Sequence, residues 1–201
     1  MQALFFSIMC LSVKTDQPAN SNAGSINSNL VSFSLFAQIN TDSTFIIVES
    51  EMPHNLNPHE TAYASDAQVL DGLYEGLFSY NPVTLDPQYA IATEYKLSRD
   101  KKRWTFKLRQ NAKFSNGEPI TAESVRFSWI ELLKNPAAPY SSLLDIVRGA
   151  ADFRNGAGSE EDVGIYVVDD YTLSVYLNSP ANYLPKVLCH DTFAVIHRNP
   201  T

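Results

Sequence analysis

The sequence predicts an α+β (mixed α/β) fold, because strand-like and helix-like stretches follow one another without strict alternation. The clearest strand covers residues 104–108, where Trp104, Phe106 and Leu108 alternate with polar residues in the period-2 pattern of a half-buried strand. The clearest helix follows Thr121, a residue type that caps helices, and its apolar residues recur at helical spacing: Val125, Trp129, Leu132 and Leu133. A chain of 201 residues is long enough for one hydrophobic core or two small ones.

Composition and charge argue against several classes of protein. A formal net charge of −7 and a pI of about 5.0 argue against a nucleic-acid-binding surface, for which a basic patch is expected. The two cysteines, Cys10 and Cys189, are too few for a disulfide scaffold. No run of about 18 apolar residues is present, so the sequence predicts no membrane-spanning helix.

The first 44 residues are interpreted as an export or anchor segment followed by a flexible linker. Residues 3–13 form an apolar run of signal-peptide length, although no Lys or Arg precedes it. Cys10 lies in this run and is a candidate for lipidation, while a damaged or mis-started N-terminus explains the run equally well. Residues 14–29 are rich in Asn and Ser, as in a flexible tether, and residues 30–39 form a second short apolar run.

Further elements are predicted before the strand at residues 104–108. Residues 45–48 (FIIV) form a strand rich in β-branched side chains. A helix capped by Ser65 or Asp66 is predicted to end at residues 81–82 (Asn-Pro), with this apolar face: Val69, Leu70, Leu73, Tyr74 and Leu77. Residues 95–98 form a short strand.

The C-terminal half begins with a tight turn. Residues 116–117 (Asn-Gly) indicate this turn because both residue types adopt positive φ at little cost. Residues 134–136 (Lys-Asn-Pro) end the helix that follows. Beyond it we predict a helix at 143–153, a β-hairpin at 165–177, a short helix bracketed by Pro180 and Pro185, and a last strand at 193–196.

No catalytic site is predicted, so the chain is expected not to be an enzyme. The sequence has no G-x-S-x-G elbow, no P-loop and no G-x-G-x-x-G. Its paired acidic residues fall at a strand end, in a loop and in a hairpin turn, where solvated carboxylates are usual. The four histidines have no companions at zinc-ligand spacing, so neither a metal nor a cofactor is predicted.

Several segments resemble one protein family in the same order along the chain. Residues 104–129 (WTFKLRQNAKFSNGEPITAESVRFSW) resemble the signature segment of the family 5 extracellular solute-binding proteins, the peptide-binding receptors of bacterial ABC importers. Four further segments match: residues 56–59 (LNPH), 73–77 (LYEGL), 169–173 (DDYTL) and 180–190. The colinear resemblance runs from about residue 45 to residue 199.

The resemblance implies a periplasmic-binding-protein-like type II fold, in which two lobes close over a ligand. Residues 45–75 would form the first strand and ligand-side loop of lobe I. Residues 76–192 would form the extra domain of the peptide-binding members, and residues 193–201 the start of the return to lobe I. The second lobe would be absent, so the chain is expected to be truncated to part of the first lobe plus the extra small domain.

The resemblance also implies a function, namely capture of oligopeptides for ABC permease subunits by a monomer in the periplasm or cell envelope. Phe127 stands where the family often has a cleft-lining Tyr, and His59 stands at a structural histidine. The segment after residues 56–59 would present its backbone to the peptide: Glu60, Thr61, Ala62, Tyr63 and Ala64. One wall cannot enclose a peptide, so this chain alone is expected to bind peptides with a Kd above about 10 μM.

Two alternatives stay open. One is a truncated, non-transporting surface or interaction protein, because uncovered strand edges and apolar faces invite partners. The other is a family member that binds dipeptides, nickel or sugars. Oligopeptides are favoured over these ligands because residues 138–170 look most like the oligopeptide branch of the family.

Overall fold

The structure, a computed structural model, describes residues 55–199. The predicted strand at residues 45–48, the apolar runs and Cys10 lie outside the described residues. Within residues 55–199, no helix is long and apolar enough to cross a membrane. The elements are α1 (Ala64–Leu73), β1 (Phe78–Tyr80), β2 (Pro87–Tyr89), β3 (Ala92–Leu97), β4 (Arg103–Leu108), α2 (Ala122–Lys134), α3 (Ala150–Arg154), β5 (Ile165–Asp169), β6 (Thr172–Tyr176) and α4 (Leu184–Val187), with short 3-10 helices at Ser141–Ile146, Glu160–Asp162 and Asp191–Phe193.

A four-stranded antiparallel sheet in the order β3-β4-β6-β5 forms the centre of the described chain. Its register places Phe106 opposite both Tyr95 of β3 and Leu173 of β6. The predicted alternation is confirmed: the apolar residues of β4 point into the core, while its polar residues lie on the opposite face. The predicted hairpin is also confirmed, with the side chain of Asp169 accepting the backbone N–H of Tyr171 (2.9 Å) in its turn.

Helix α2 covers the inner face of this sheet. Thr121 and Ser124 form a capping box, in which the Thr121 hydroxyl accepts the N–H of Ser124 (3.4 Å) and the Ser124 hydroxyl accepts the N–H of Thr121 (3.2 Å). The predicted cap and the predicted end at residue 134 are both confirmed. The helix buries its apolar stripe completely: Val125, Trp129, Ile130, Leu132 and Leu133. Each such side chain contributes about 1.5–3 kcal/mol by leaving water.

Helix α1 differs from the prediction at both ends. It begins at Ala64 after Tyr63, whose side chain makes no cap, instead of after Ser65 or Asp66. Asp66 is buried and accepts the hydroxyl of Thr61 (3.0 Å). The helix ends at Leu73 because Tyr74 has extended backbone angles. Leu73, predicted to lie on the apolar face, is exposed. The chain then forms the β1–β2 hairpin. The sequence analysis missed this hairpin, whose strands have only three residues each.

The predicted helix at residues 143–153 is interrupted. A 3-10 helix ends at Ile146, Val147 forms a bridge with Leu177, and α3 starts only at Ala150. Gly149 between them has a φ of +72°, and a Cβ at this position would lie 2.4 Å from the backbone oxygen of Asp162. A continuous helix would require right-handed backbone at this residue, so the close packing of two backbones breaks the helix.

The predicted strand at residues 193–196 is wrong, and the predicted helix between the two prolines is shifted. Asp191–Phe193 is a 3-10 helix, followed by irregular chain in which the N–H of Val195 donates to the carbonyl of Glu75 (3.0 Å). A single hydrogen bond of this kind does not make a ladder. Helix α4 starts at Leu184 with Pro185 inside its first turn, a position where no backbone N–H is needed.

Candidate functional site

The predicted ligand-binding segment, residues 60–64, runs into α1 with free backbone groups. Ala62, Tyr63 and Ala64 are exposed, and Tyr63 has extended backbone angles (φ −105°, ψ 140°). The N–H groups of these three residues donate no hydrogen bond to any other described residue. An extended, solvent-facing backbone with free donors is the geometry that strand addition of a peptide requires.

The residues just before this exposed stretch hold it in place. The carboxylate of Glu60 accepts the side-chain amide of Asn135 (3.1 Å) at the C-terminal end of α2. The hydroxyl of Thr61 is buried in its hydrogen bond with Asp66. His59 is only 3% exposed, and its burial lowers the pKa of its imidazole to about 4, so the ring is neutral at pH 7. The side chains of Glu60 and Thr61 are thus engaged within the chain, whereas the N–H groups of Ala62–Ala64 donate to no described residue.

Phe127, the sixth predicted site residue, lies on α2 and is partly buried. The guanidinium of Arg198 stacks 5.0 Å from the centre of its ring and also pairs with Glu123 (2.5 Å). Phe127 precedes Asn135, the contact of Glu60, by eight residues, or about 12 Å along the helix. The structure therefore does not bring Phe127 into contact with residues 60–64. Phe127 lies in the first half of α2, whereas Glu60 contacts the C-terminal end of this helix.

A large open concavity of about 1190 Å³ lies apart from these six residues. None of them lines it, and no local sequence pattern indicated it, because its walls come from several separate segments: residues 56–58, α1, β1, residues 113–120 and the chain after α4. Its polar lining includes Asp71, Tyr74, Tyr80, His190, Asp191 and His197. This volume exceeds that of a usual small-molecule pocket, which runs from about 300 to 1,000 Å³.

Asp71 and Asp191 bring two carboxyl groups together in this concavity. Burial, together with the charge of Asp71 and a hydrogen bond between the two carboxyl groups, raises the pKa of Asp191 to about 7. Burial lowers the pKa of the neighbouring His190 imidazole, so that ring is neutral and gives the carboxylates no positive charge. The sequence analysis missed this pair because the two residues are 120 positions apart.

Among residues 55–199, no group of three or more His, Cys, Asp or Glu side chains has the arrangement of a metal site. His197 is bound instead to the carboxylate of Glu118 (2.6 Å), which raises the pKa of its imidazole. This contact ties the end of the described chain to the turn at Asn116-Gly117.

Cys189 is a buried free thiol, and burial raises its pKa to about 11. A thiol with this pKa is not a nucleophile at neutral pH.

Comparison with known proteins first defines a class, that of the bacterial extracellular solute-binding proteins. OppA from Listeria monocytogenes, solved bound to peptide, superposes with a TM-score of 0.70 at 34% identity, over 74% of this chain and 30% of that one. OppA from Haemophilus influenzae, solved in complex with RPPGFSPFR, superposes with a TM-score of 0.68 at 33% identity, over 73% of this chain and 29% of that one. The mixed fold is thus that of the periplasmic peptide-binding proteins.

The particular family follows from sequence. The model of "Bacterial extracellular solute-binding proteins, family 5 Middle" matches residues 86–200. The periplasmic oligopeptide-binding protein OppA of Salmonella typhimurium is 33% identical over 148 residues, covering 72% of this chain. The chain belongs to family 5 of the bacterial extracellular solute-binding proteins. It spans 27% of the length of the Salmonella protein.

Proposed function

We propose that this chain takes part in non-covalent capture of oligopeptides for an ABC importer, and that it supplies one wall of the peptide site. The observation that carries the proposal is the exposed backbone of Ala62–Ala64, which is extended at Tyr63 and whose N–H groups donate to no described residue. The relatives named above are oligopeptide-binding proteins, and that likeness supports the same ligand class here.

The mechanism is strand addition. Alternate residues of an extended segment donate toward the same neighbouring strand, so the peptide main chain accepts hydrogen bonds from Ala62 and Ala64. These bonds supply affinity without reading the peptide sequence. The side chain of Tyr63, 71% exposed, lies over the bound peptide and contributes apolar contact. Phe127 offers a second apolar surface, and because it has no hydroxyl it makes no hydrogen bond to the ligand.

Peptide capture needs no catalytic step, and the loaded protein delivers its ligand to permease subunits in the membrane. We place the protein in the periplasm or cell envelope, as its relatives are named periplasmic. Lipidation of Cys10 would add a membrane anchor. Oligopeptides are the first choice of ligand, and dipeptides are the second, because the dipeptide-binding protein DppE of Bacillus subtilis is 32% identical over 63% of this chain.

Replacing Ala64 by Pro tests strand addition with little risk to folding. Ala64 is the first residue of α1, where Pro is favoured, and Tyr63 before it already has the extended angles that a following Pro requires. Ala64→Pro removes one N–H donor from the proposed site, so peptide affinity should fall about 10-fold. Ala64→Ser keeps the donor and serves as the matched control.

Affinity is measured by calorimetry with mixed tri- to pentapeptides, on the chain and on a chimera in which residues 55–199 replace the matching part of Listeria monocytogenes OppA. The chain alone should bind with a Kd above about 10 μM, and the chimera more tightly, because a peptide needs several walls. Equal affinities of the Pro and Ser chimeras, with equal unfolding temperatures, would overturn strand addition at this segment.

A further inference from the structure

The positive charge of this acidic protein is concentrated in one short stretch. Residues 95–113 carry eight of the fifteen Lys and Arg residues and only one of the twenty-two Asp and Glu residues. The stretch therefore has a formal charge of +7, whereas the rest of the chain has −14. Charge separation on this scale orients a protein in front of a charged partner.

Part of this charge lies at one end of the sheet, in a group that we call the cationic end: Arg99, Lys101, Lys102, Arg103 and Arg148. The first four belong to the β3–β4 turn and the start of β4, and all four are exposed. Arg148 joins them because Tyr176, which pairs with Arg103 across β4 and β6, also contacts Arg148. A shallow depression of about 410 Å³ lies between Arg99, Lys102, Arg103 and Tyr176.

The three arginines of the cationic end differ from the other described arginines in having no carboxylate partner among residues 55–199. Four arginines of the described chain pair with a carboxylate: Arg109, Arg126, Arg154 and Arg198. The other three described arginines, Arg99, Arg103 and Arg148, have no carboxylate of a described residue within 4.0 Å, and they all lie at the cationic end. The one acidic residue of the turn, Asp100, also lines the depression, and its carboxylate accepts the Ser98 hydroxyl and the Lys102 N–H.

Two guanidinium groups are held by aromatic rings instead. Arg148 lies 5.2 Å from the ring centre of Tyr176 and donates to the hydroxyl of Tyr166 (2.6 Å). Arg103 lies 6.0 Å from the centre of the same Tyr176 ring. Ring contacts fix a guanidinium without neutralising it, so both groups keep N–H donors and full charge for an external anion.

We propose that the cationic end docks on the phosphate groups of an anionic phospholipid surface. The depression is shallow and open, so it does not enclose a single soluble anion. Five cations around an exposed turn match a plane of many phosphates, and Tyr residues beside them are typical of the membrane–water interface. The negative formal charge of the rest of the sequence favours an orientation with this end toward such a surface.

The test measures binding of the full chain to vesicles by co-sedimentation. Vesicles of phosphatidylcholine are compared with vesicles of phosphatidylcholine mixed with phosphatidylglycerol. Arg99→Gln/Lys101→Gln removes two exposed charges of the cationic end that have no ion-pair partner among the described residues. Lys113→Gln/Lys186→Gln removes two exposed charges elsewhere and gives the same net charge, so it is the matched control. Residues 1–54 are identical in all proteins and contribute equally.

Binding is expected only to the anionic vesicles, to weaken with added salt, and to fall on the order of 10-fold in Arg99→Gln/Lys101→Gln but not in the control. Equal binding to both vesicle types, or an equal loss in both double variants, would overturn the proposal. Release of the protein from the vesicles by inorganic phosphate, with the total ionic strength held constant, would overturn the proposal and assign the site to a soluble anion. Salt-sensitive self-association without vesicles, lost only in Arg99→Gln/Lys101→Gln, would assign it to a second copy of the chain.

Discussion

Two regions of the described chain are built in different ways. The sheet–helix layer, made of β3–β6 and α2, has continuous hydrogen-bond ladders, such as the five successive pairs between β4 and β6. The loop-built side, residues 55–91 and 181–199, has helices of ten and four residues and a hairpin with three pairs. Its parts are joined by single hydrogen bonds, such as that from Val195 to Glu75.

This difference explains where the two proposed surfaces lie and how firmly each is held. The cationic end belongs to the sheet–helix layer, where ladder hydrogen bonds fix the positions of Arg103 and Tyr176. The exposed backbone of Ala62–Ala64 belongs to the loop-built side, where two side-chain hydrogen bonds, Asn135 to Glu60 and Thr61 to Asp66, anchor the residues before it. A segment with few anchors opens at low cost, which suits a site that must admit and release a ligand.

The largest effect is expected where the two regions meet. Trp129 is fully buried in the sheet–helix layer, and its indole N–H donates to the carbonyl of Phe193 (3.3 Å) on the loop-built side. Trp129→Ala should lower the free energy of unfolding by about 3–5 kcal/mol, because it leaves a cavity and an unpaired carbonyl. Chemical denaturation followed by circular dichroism measures this loss.

Trp129→Phe is the matched variant, since it keeps most of the packing and removes only the N–H donor. We expect it to lose about 1–2 kcal/mol, with the loop-built side exchanging its amide hydrogens faster than the sheet. If Trp129→Ala lost less than Trp129→Phe, or if only one region unfolded in Trp129→Ala, the indole would not join the two regions as described.

The second effect concerns the loop-built side alone. Partial burial beside Asp71 raises the pKa of the Asp191 carboxyl from its ordinary value of 3.8 to about 7 in the folded state. The folded state thus binds more protons between pH 4 and 7, so stability falls as the pH rises through this range and stays lower above it. Asp191→Asn removes the ionisation, and above pH 7 it should stabilise the protein by about 2 kcal/mol.

Thermal unfolding from pH 4 to pH 8 tests this prediction. The gain from Asp191→Asn should be largest at pH 8 and should disappear near pH 4, where the wild-type carboxyl is protonated. Asp86→Asn, which changes an exposed aspartate of the β1–β2 loop, should show no such trend. A gain independent of pH would mean that the two carboxyl groups do not share a proton.

The sheet–helix layer could be predicted from local patterns in the sequence, whereas much of the loop-built side could not. The alternation at Trp104 and Phe106 and the cap at Thr121 are local patterns, and the structure has both elements in place. Residues 193–196 have the composition of a strand, yet the N–H of Ile196 donates to Ser128 (2.9 Å), 68 positions away, and no ladder forms. Nothing local in the sequence encodes a partner at that distance.

The candidate site also has a part that the sequence indicated and a part that it did not. Resemblance to a family pointed to Glu60–Ala64 and Phe127, and the structure adds which of these groups are already engaged, namely the side chains of Glu60 and Thr61. The concavity and the pair of Asp71 with Asp191 arise from chain segments far apart in sequence, so no spacing or motif could indicate them. The sequence analysis did not single out the cationic end, and only the structure shows that its arginines have no carboxylate partners among the described residues.

The smallest effect is expected within the sheet–helix layer. Thr121→Ala removes the hydroxyl that accepts the N–H of Ser124 and should cost about 0.5–1 kcal/mol, because the 3.4 Å bond is long and water replaces it readily. Amide exchange should speed up in the first turn of α2 only, since the buried stripe holds the rest of the helix. Ser124→Ala removes the other half of the box and should cost a similar amount. Faster exchange at Ile196 in Thr121→Ala would instead show that fraying of α2 reaches Ser128, and that the loop-built side depends on the cap.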